Sequence, residues 1–219
     1  MNIGIIGSGL IGASVAKLAI AAGHRPMISN SRGPESLAQL AHSLGCRAGT
    51  SEEAAAFGDM VLIAIPFKNR FQLPVSTLAC RIVIDSSNYY PHRDGRIDEL
   101  ENGITTTSEL MQCILTQSRL VKCFNAILAR DLSLHQLPHG VHGRRAIPAA
   151  ADDVEALNVV ADFVDTLGYD VVKLGSLRES WRFERARPGY CLRLDAFQMK
   201  QILTANTRAS WVEEGSWRL

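Results

Sequence analysis

Residues 7–12 read Gly-Ser-Gly-Leu-Ile-Gly, and they separate two segments of different periodicity. Before them, Asn2 to Ile6 form a short apolar run, as expected of a strand buried on both faces. After them, Ile11, Val15, Leu18, Ala19 and Ala22 recur at helical spacing, and Gly23 supplies a stop. A glycine hexapeptide alone is a weak signal. At the first strand-to-helix turn of a chain it constrains the fold strongly, because each glycine then has a separate task. Gly7 permits the tight turn, Gly9 lets a pyrophosphate approach the backbone, and Gly12 lets helix and strand pack closely. The amides of Ser8, Gly9, Leu10 and Ile11 can then face phosphate oxygens, with the helix dipole assisting.

The rest of the chain continues the alternation. Strands are expected at 25–30, 59–66, 80–88 and 118–125, with helices at 34–45 and 51–58, the latter capped by Ser51. Further on, a strand is expected around Arg144 to Ile147, a helix over 150–168 opened by Asp152 and Asp153, and a strand at 169–175. Helices are expected over 176–187 and 188–205, with Pro188 near the start of the second. Strands alternating with helices imply right-handed crossovers and a parallel sheet. The fold class is therefore α/β: a Rossmann-type doubly wound parallel sheet with a small C-terminal α/β extension. One domain is expected over 1–219, with a core at 1–130 and an extension at 131–219 that completes an acceptor cleft. The tail from Asn206 has weak periodicity and is placed on the surface or at a subunit contact.

Composition bounds the partners. The chain has 219 residues, 47% of them hydrophobic and 21% charged, with a net charge of +1. No strong field points to nucleic acid or an acidic membrane. No apolar run approaches the ~18 residues of a membrane span. Cys46, Cys80, Cys113, Cys123 and Cys191 show no paired spacing, which fits reduced thiols and a cytoplasmic location. His135, His139 and His142 share a glycine- and proline-containing loop with no evident fourth ligand, so no metal is expected.

The second strand ends in Ser29-Asn30-Ser31-Arg32. An NAD-preferring site places an acid about 20 residues after the glycine turn, on the ribose 2′-hydroxyl. No acid is present here. A carboxylate would repel a 2′-phosphate, whereas the Ser31 hydroxyl and the Arg32 guanidinium would bind it, with Asn30 and Ser36 alongside. The expected coenzyme is NADP(H).

Ligands in such sheets lie beyond the carboxyl ends of the strands. Ile65, Pro66 and Phe67 are expected over the coenzyme, with Arg70 one turn later. Asn88 and Asn125 suit a nicotinamide carboxamide or a planar acceptor, with loop capping as the lesser alternative for each. Asp85 reads as a structural carboxylate at a strand end rather than a base. Trp181 and Phe183 could stack on a flat ring, with Arg178, Arg182, Arg185 and Arg187 meeting its anionic tail; a packed helix with solvated arginines is the plainer alternative. Asn125, His135 and Trp181 are the acceptor-site candidates.

The segments GSGLIG, NSR, AIP, IDSSN, VKCFN and LGSL, in this order, resemble two related groups. One is the NADPH-dependent coenzyme F420 reductases. The other is the cytosolic reductase domain of the STEAP metalloreductases. The resemblance runs from residue 1 to about 180. It implies a homodimer, with NADP held by Ser8 to Ile11, Ser31, Arg32, Pro66, Arg70, Asn88 and Ala129. It also implies hydride transfer between NADPH and a flavin- or deazaflavin-type small-molecule acceptor (FMN, FAD or coenzyme F420), with ferric reduction as a downstream use. The deazaflavin-reducing branch carries histidine where Asn125 stands, and residues 178–189 replace a glycine-rich stretch. Two other readings fit the glycine turn: an NADP-dependent hydroxyacid or imine dehydrogenase, and a non-catalytic NADPH-binding regulator. The first needs a long helical second domain, for which few residues follow Ile147.

Overall fold

The computed structural model describes residues 1–218. Its centre is an eight-stranded sheet in the order β3-β2-β1-β4-β5-β6-β7-β8. The strands are β1 (Asn2–Ile6), β2 (Arg25–Ser29), β3 (Arg47–Ala48), β4 (Met60–Ile63), β5 (Ile82–Asp85), β6 (Arg119–Lys122), β7 (Ala146–Ala151) and β8 (Asp170–Lys173). Six pairings are parallel; β7 runs antiparallel to β6, and β8 then runs parallel to β7. The sheet is thus Rossmann-like and mostly parallel rather than wholly so. The central strands read as unbroken apolar runs because helices cover both faces: all four residues of β4 are buried.

Among the described residues six α-helices reach seven residues or more: α1 (Leu10–Ala21), α2 (Ala38–Leu44), α3 (Ser51–Phe57), α4 (Thr107–Ile114), α5 (Val154–Thr166) and α6 (Ala196–Ala205). One apolar cluster joins α1, α2 and α5 to one face of the sheet through Val15, Leu18, Ala41, Val160 and Phe163. A second covers the other face through Ala55 of α3, Phe67 and Met111 of α4.

Several boundaries differ from the sequence expectation, each for a local reason. The α3 cap is Thr50, not Ser51: its hydroxyl accepts the Glu53 amide while the Glu53 carboxylate accepts the Thr50 amide. The expected helix at 34–45 opens as a 3-10 turn over Pro34–Leu37 before α2 begins. The strand expected near Arg144 starts at Ala146. Arg144 and Arg145 instead bury their guanidiniums against Asp165, Asp170 and Asp131. The segment after Gly175 is a 3-10 helix, Leu177–Phe183. Pro188 lies outside α6, which starts at Ala196 behind an Asp195 capping box. The tail from Asn206 lies largely on the surface, as expected, and is anchored where Trp217 and Val212 pack on a third apolar cluster with Phe183, Tyr190 and Leu203.

Candidate functional site

Because β1, β2, β4, β5 and β6 are parallel, their carboxyl ends open on one edge, and the coenzyme-binding segments collect there. The three glycines of the first turn perform distinct jobs. Gly7 has φ +111°, and a Cβ on it would lie 2.3 Å from the Ala64 carbonyl oxygen. A Cβ on Gly12 would lie 1.9 Å from the Gly7 carbonyl oxygen, so α1 can touch the turn only through glycine. A Cβ on Gly9 would meet nothing within 4 Å. No protein atom fills that space, which is where a pyrophosphate would approach. Gly9 is also the N-cap of α1 and offers no side-chain bond to the helix's first amides.

A cleft of about 460 Å³ extends from this turn and brings together Gly7, Ser8, Gly9, Asn30, Ser31, Arg32, Ile65 and Pro66. No aspartate or glutamate lines it. Asn30 shapes its rim: its Oδ1 accepts the Arg32 amide at 2.9 Å, and its Nδ2 donates to the Ser36 hydroxyl at 2.9 Å. This Asx turn presents Arg32 at the surface with its guanidinium exposed. The acid-free rim, the cationic arginine and the open backbone at Gly9 fit a 2′-phosphorylated dinucleotide.

A second cleft of about 330 Å³ shares Gly9, Ala64, Ile65 and Pro66 with the first and continues past Leu10, Ile11, Ser86, Ser87 and Asn88. It suits the nicotinamide half. Tyr90 and Arg93 also line it, and the sequence reading did not single them out. Arg93 donates to the Asn88 carbonyl at 2.8 Å, pairs with the buried Asp94 carboxylate, and stacks on Tyr90. Burial would raise the Asp94 carboxyl, but the Arg93 guanidinium and the amides of Tyr90 and Lys68 leave it below the ordinary range. The available signal was the cluster of aromatic and basic residues in 89–93, directly after the strand-end serines.

Other candidates lie elsewhere. Phe67 is fully buried in the core and cannot cover a coenzyme. Arg70 folds back onto Phe67 and Phe71, 4.4 Å from each ring centroid, and donates to the Phe67 carbonyl. Neither lines the clefts. Ala129 opens a short helical turn and accepts from the Ser14 hydroxyl beside α1.

Asn125 is buried behind the second cleft. Its Nδ2 donates to the Phe183 carbonyl at 2.9 Å, and its own carbonyl accepts from Asn88. It therefore positions Asn88 rather than facing a ligand directly. Its Oδ1 is buried without a partner among the described residues.

His135 contacts Arg145 at 2.7 Å, away from both clefts, and burial followed by repulsion from Arg145 lowers its pKa. Trp181 is buried beneath Arg182, Arg187 and Arg208, and Phe183 is wholly buried, so neither offers a bare ring face to a flavin in the second cleft. Arg182 is spent on Glu179 and on the carbonyls of Leu203 and Asn206. Among the described residues no cluster of three metal-ligating side chains occurs, and no helix is long and apolar enough to cross a membrane.

Residues 2–89 match the family of coenzyme F420-dependent NADP oxidoreductases. That segment holds every residue lining the first cleft and all of the second except Tyr90 and Arg93. The chain is also 38% identical over 65 residues to the Escherichia coli (strain K12) protein YjhV. That match covers 30% of this chain and about half (47%) of the relative's length. Among solved structures, the hypothetical protein SMa0349 from Sinorhizobium meliloti superposes with a TM-score of 0.75 at 28% identity, covering 88% of this chain and 93% of that one. A protein described as an F420-dependent NADP reductase, from Arthrobacter sp. FB24, gives 0.70 at 21% identity over 82% of this chain and 87% of its own. A reductive aminase from Aspergillus terreus, solved with NADPH, gives 0.57 at 14% identity, with 93% of this chain on 60% of that one. The last two share the fold.

Proposed function

We propose that this protein is an NADP(H)-dependent oxidoreductase that passes a hydride between the nicotinamide and a flat flavin- or deazaflavin-type acceptor. The observation that carries the reading is the acid-free cleft that Arg32 and the open backbone at Gly9 both line. The family match over residues 2–89 supports it. When bound, NADP(H) supplies the hydride at its nicotinamide ring. The chain's own residues bind and orient. Ser8 to Ile11 hold the pyrophosphate, Ser31 and Arg32 hold the 2′-phosphate, and Asn88, fixed by Asn125 and Arg93, orients the nicotinamide end. Hydride passage between two stacked rings draws most of its rate from such positioning. The same reading places the chain in a homodimer, which light scattering would check.

The test is a turnover screen of the purified protein with NADPH against FMN, FAD, coenzyme F420 and ferric chelates, repeated with NADH. Oxidation of NADPH by a flavin or F420, faster than that of NADH, is the expected result. Turnover only with carbonyl or imine compounds would replace the reading with a hydroxyacid or imine dehydrogenase. Tight NADPH binding with no turnover would make the protein a regulator.

A further inference from the structure

A third cavity, of about 210 Å³, lies on the other side of residues 89–91 from the nicotinamide half. Its walls include Trp181, Arg185 and Arg187, from the segment that departs from the family pattern, and Arg208 and Trp211 from the tail after α6. Arg187 is only 5% exposed. Its Nη1 donates to the carbonyls of Arg208 and Ser210, while Nε and Nη2 have no partner among the described residues. Arg187 lines the cavity. Arg208 donates through Nη1 to the Gly103 carbonyl and has no carboxylate within ion-pair distance among the described residues. The two guanidiniums lie 5.2 and 4.7 Å from the Trp181 ring centroid.

Arg187 also lies 3.7 Å from the Trp211 ring centroid, so two rings flank it, but the two like charges still repel and neither has a carboxylate within ion-pair distance among the described residues. Burial lowers the Arg187 pKa; Glu184 opposes that shift and Arg208 adds to it. Glu184 and Glu101 also line the cavity, and Glu184 offsets part of the Arg187 charge without pairing with it. Glu184 spends Oε1 on the amide and hydroxyl of Thr107, and Glu101 sits beside the Tyr89 hydroxyl. Arg185, the third cation, is bound to Glu214 and stacks on Tyr90, which lines the nicotinamide half. The cavity is too small for a tricyclic ring, since ligand sites begin at ~300 Å³. It is large enough for a phosphate or carboxylate with a short stem.

We propose that Arg187 and Arg208 hold the anionic end of the redox acceptor, whose ring lies across the 89–91 wall at the nicotinamide. The inference rests on the proposed function and narrows the acceptor to an anionic flavin-type molecule. FMN and riboflavin differ only in the phosphate, so they are the probes. FMN is expected to exceed riboflavin in kcat/KM by about tenfold or more, the worth of a charge-assisted contact. Arg208→Gln should bring that ratio close to one, and inorganic phosphate should raise the KM for FMN only. Tryptophan fluorescence titration with each flavin, without NADPH, gives a readout independent of turnover, and thermal melting checks that the variant folds. Equal use or equal binding of the two flavins, or a ratio unmoved by Arg208→Gln, would overturn the inference. Absence of turnover alongside preferential, Arg208-dependent FMN binding would retain the anion site while removing the reductase reading.

Discussion

The Lys122 ammonium lies 2.9 Å from the Asp85 carboxylate, and both side chains are wholly buried. The two residues are Cα partners at the ends of β6 and β5, directly beneath the strand-end loop that carries Ser86 to Asn88. Lys122 also donates to the Ser87 carbonyl and the Thr107 hydroxyl, and Asp85 accepts from Ser87 and Ser108. Every polar atom of the pair is answered. The network fixes the floor of the second cleft, which Ser86, Ser87 and Asn88 line.

Removing one partner strands the other in an apolar core. Lys122→Met or Asp85→Asn should each lower unfolding free energy by about 3–5 kcal/mol in urea titrations. The double variant should lose clearly less than the sum, because the stranded charge is gone. Additive losses would mean that the pair contributes nothing jointly.

The glycine turn allows binding and folding to be separated. A side chain at Gly9 meets open space, where the pyrophosphate is proposed to lie, whereas one at Gly12 collides with the Gly7 carbonyl. Gly9→Val should keep its melting temperature within a few degrees of the parent and lose NADPH binding. Gly12→Val should lose both. Calorimetric titration with a melt on the same samples decides it, and retained NADPH affinity in Gly9→Val would refute the placement of the pyrophosphate.

These contrasts also explain what could be read in advance. Gly7, Gly9 and Gly12 were legible because their roles follow from one local strand–turn–helix unit. The acid-free rim beside Arg32 was legible because a missing acid is visible in sequence. Phe67 and Arg70 were misplaced because the chain turns into a 3-10 helix after Pro66, sending Phe67 inward and pulling Arg70 back over it. No periodicity announces such a turn. The antiparallel entry of β7, and the arginine-covered burial of Trp181, depend on partners far away in sequence, such as Ala150 with Lys122 and Arg208 with Trp181. A single chain read locally carries no record of those meetings.

Asp153 gives a pH-dependent contribution of calculable sign. It caps α5 through the Ala156 amide and pairs with Arg119 on the strand next to it. The Arg119 guanidinium, aided by that amide, holds its carboxyl down at about 2, from an ordinary 3.8. A carboxyl lowered on folding stabilises fully above its unfolded value and loses that contribution as pH falls through the folded one. Stability should therefore fall between pH 3.8 and about 2 partly through this group. Asp153→Asn keeps a capping oxygen and removes the titration, so its stability should depend less steeply on pH across that window. Chemical denaturation at several pH values measures the slope, and an unchanged slope would remove Asp153 from the acid response.

The proposed coenzyme choice rests on Arg32. Its amide is fixed by Asn30, so the guanidinium is delivered to the cleft rim by backbone geometry rather than by an ion pair. Charge-assisted hydrogen bonds contribute about 1.5–3 kcal/mol each, or roughly 10- to 100-fold in Kd. Arg32→Glu replaces attraction with repulsion toward the 2′-phosphate and should weaken NADPH by at least that factor while leaving NADH within a few-fold. Because the contact is exposed, the NADPH preference of the parent should also shrink as salt rises, and that of the variant should not. Calorimetry with both coenzymes at low and high salt tests the two statements together. Equal loss of NADH and NADPH would show that Arg32 supports the turn itself and does not select the coenzyme.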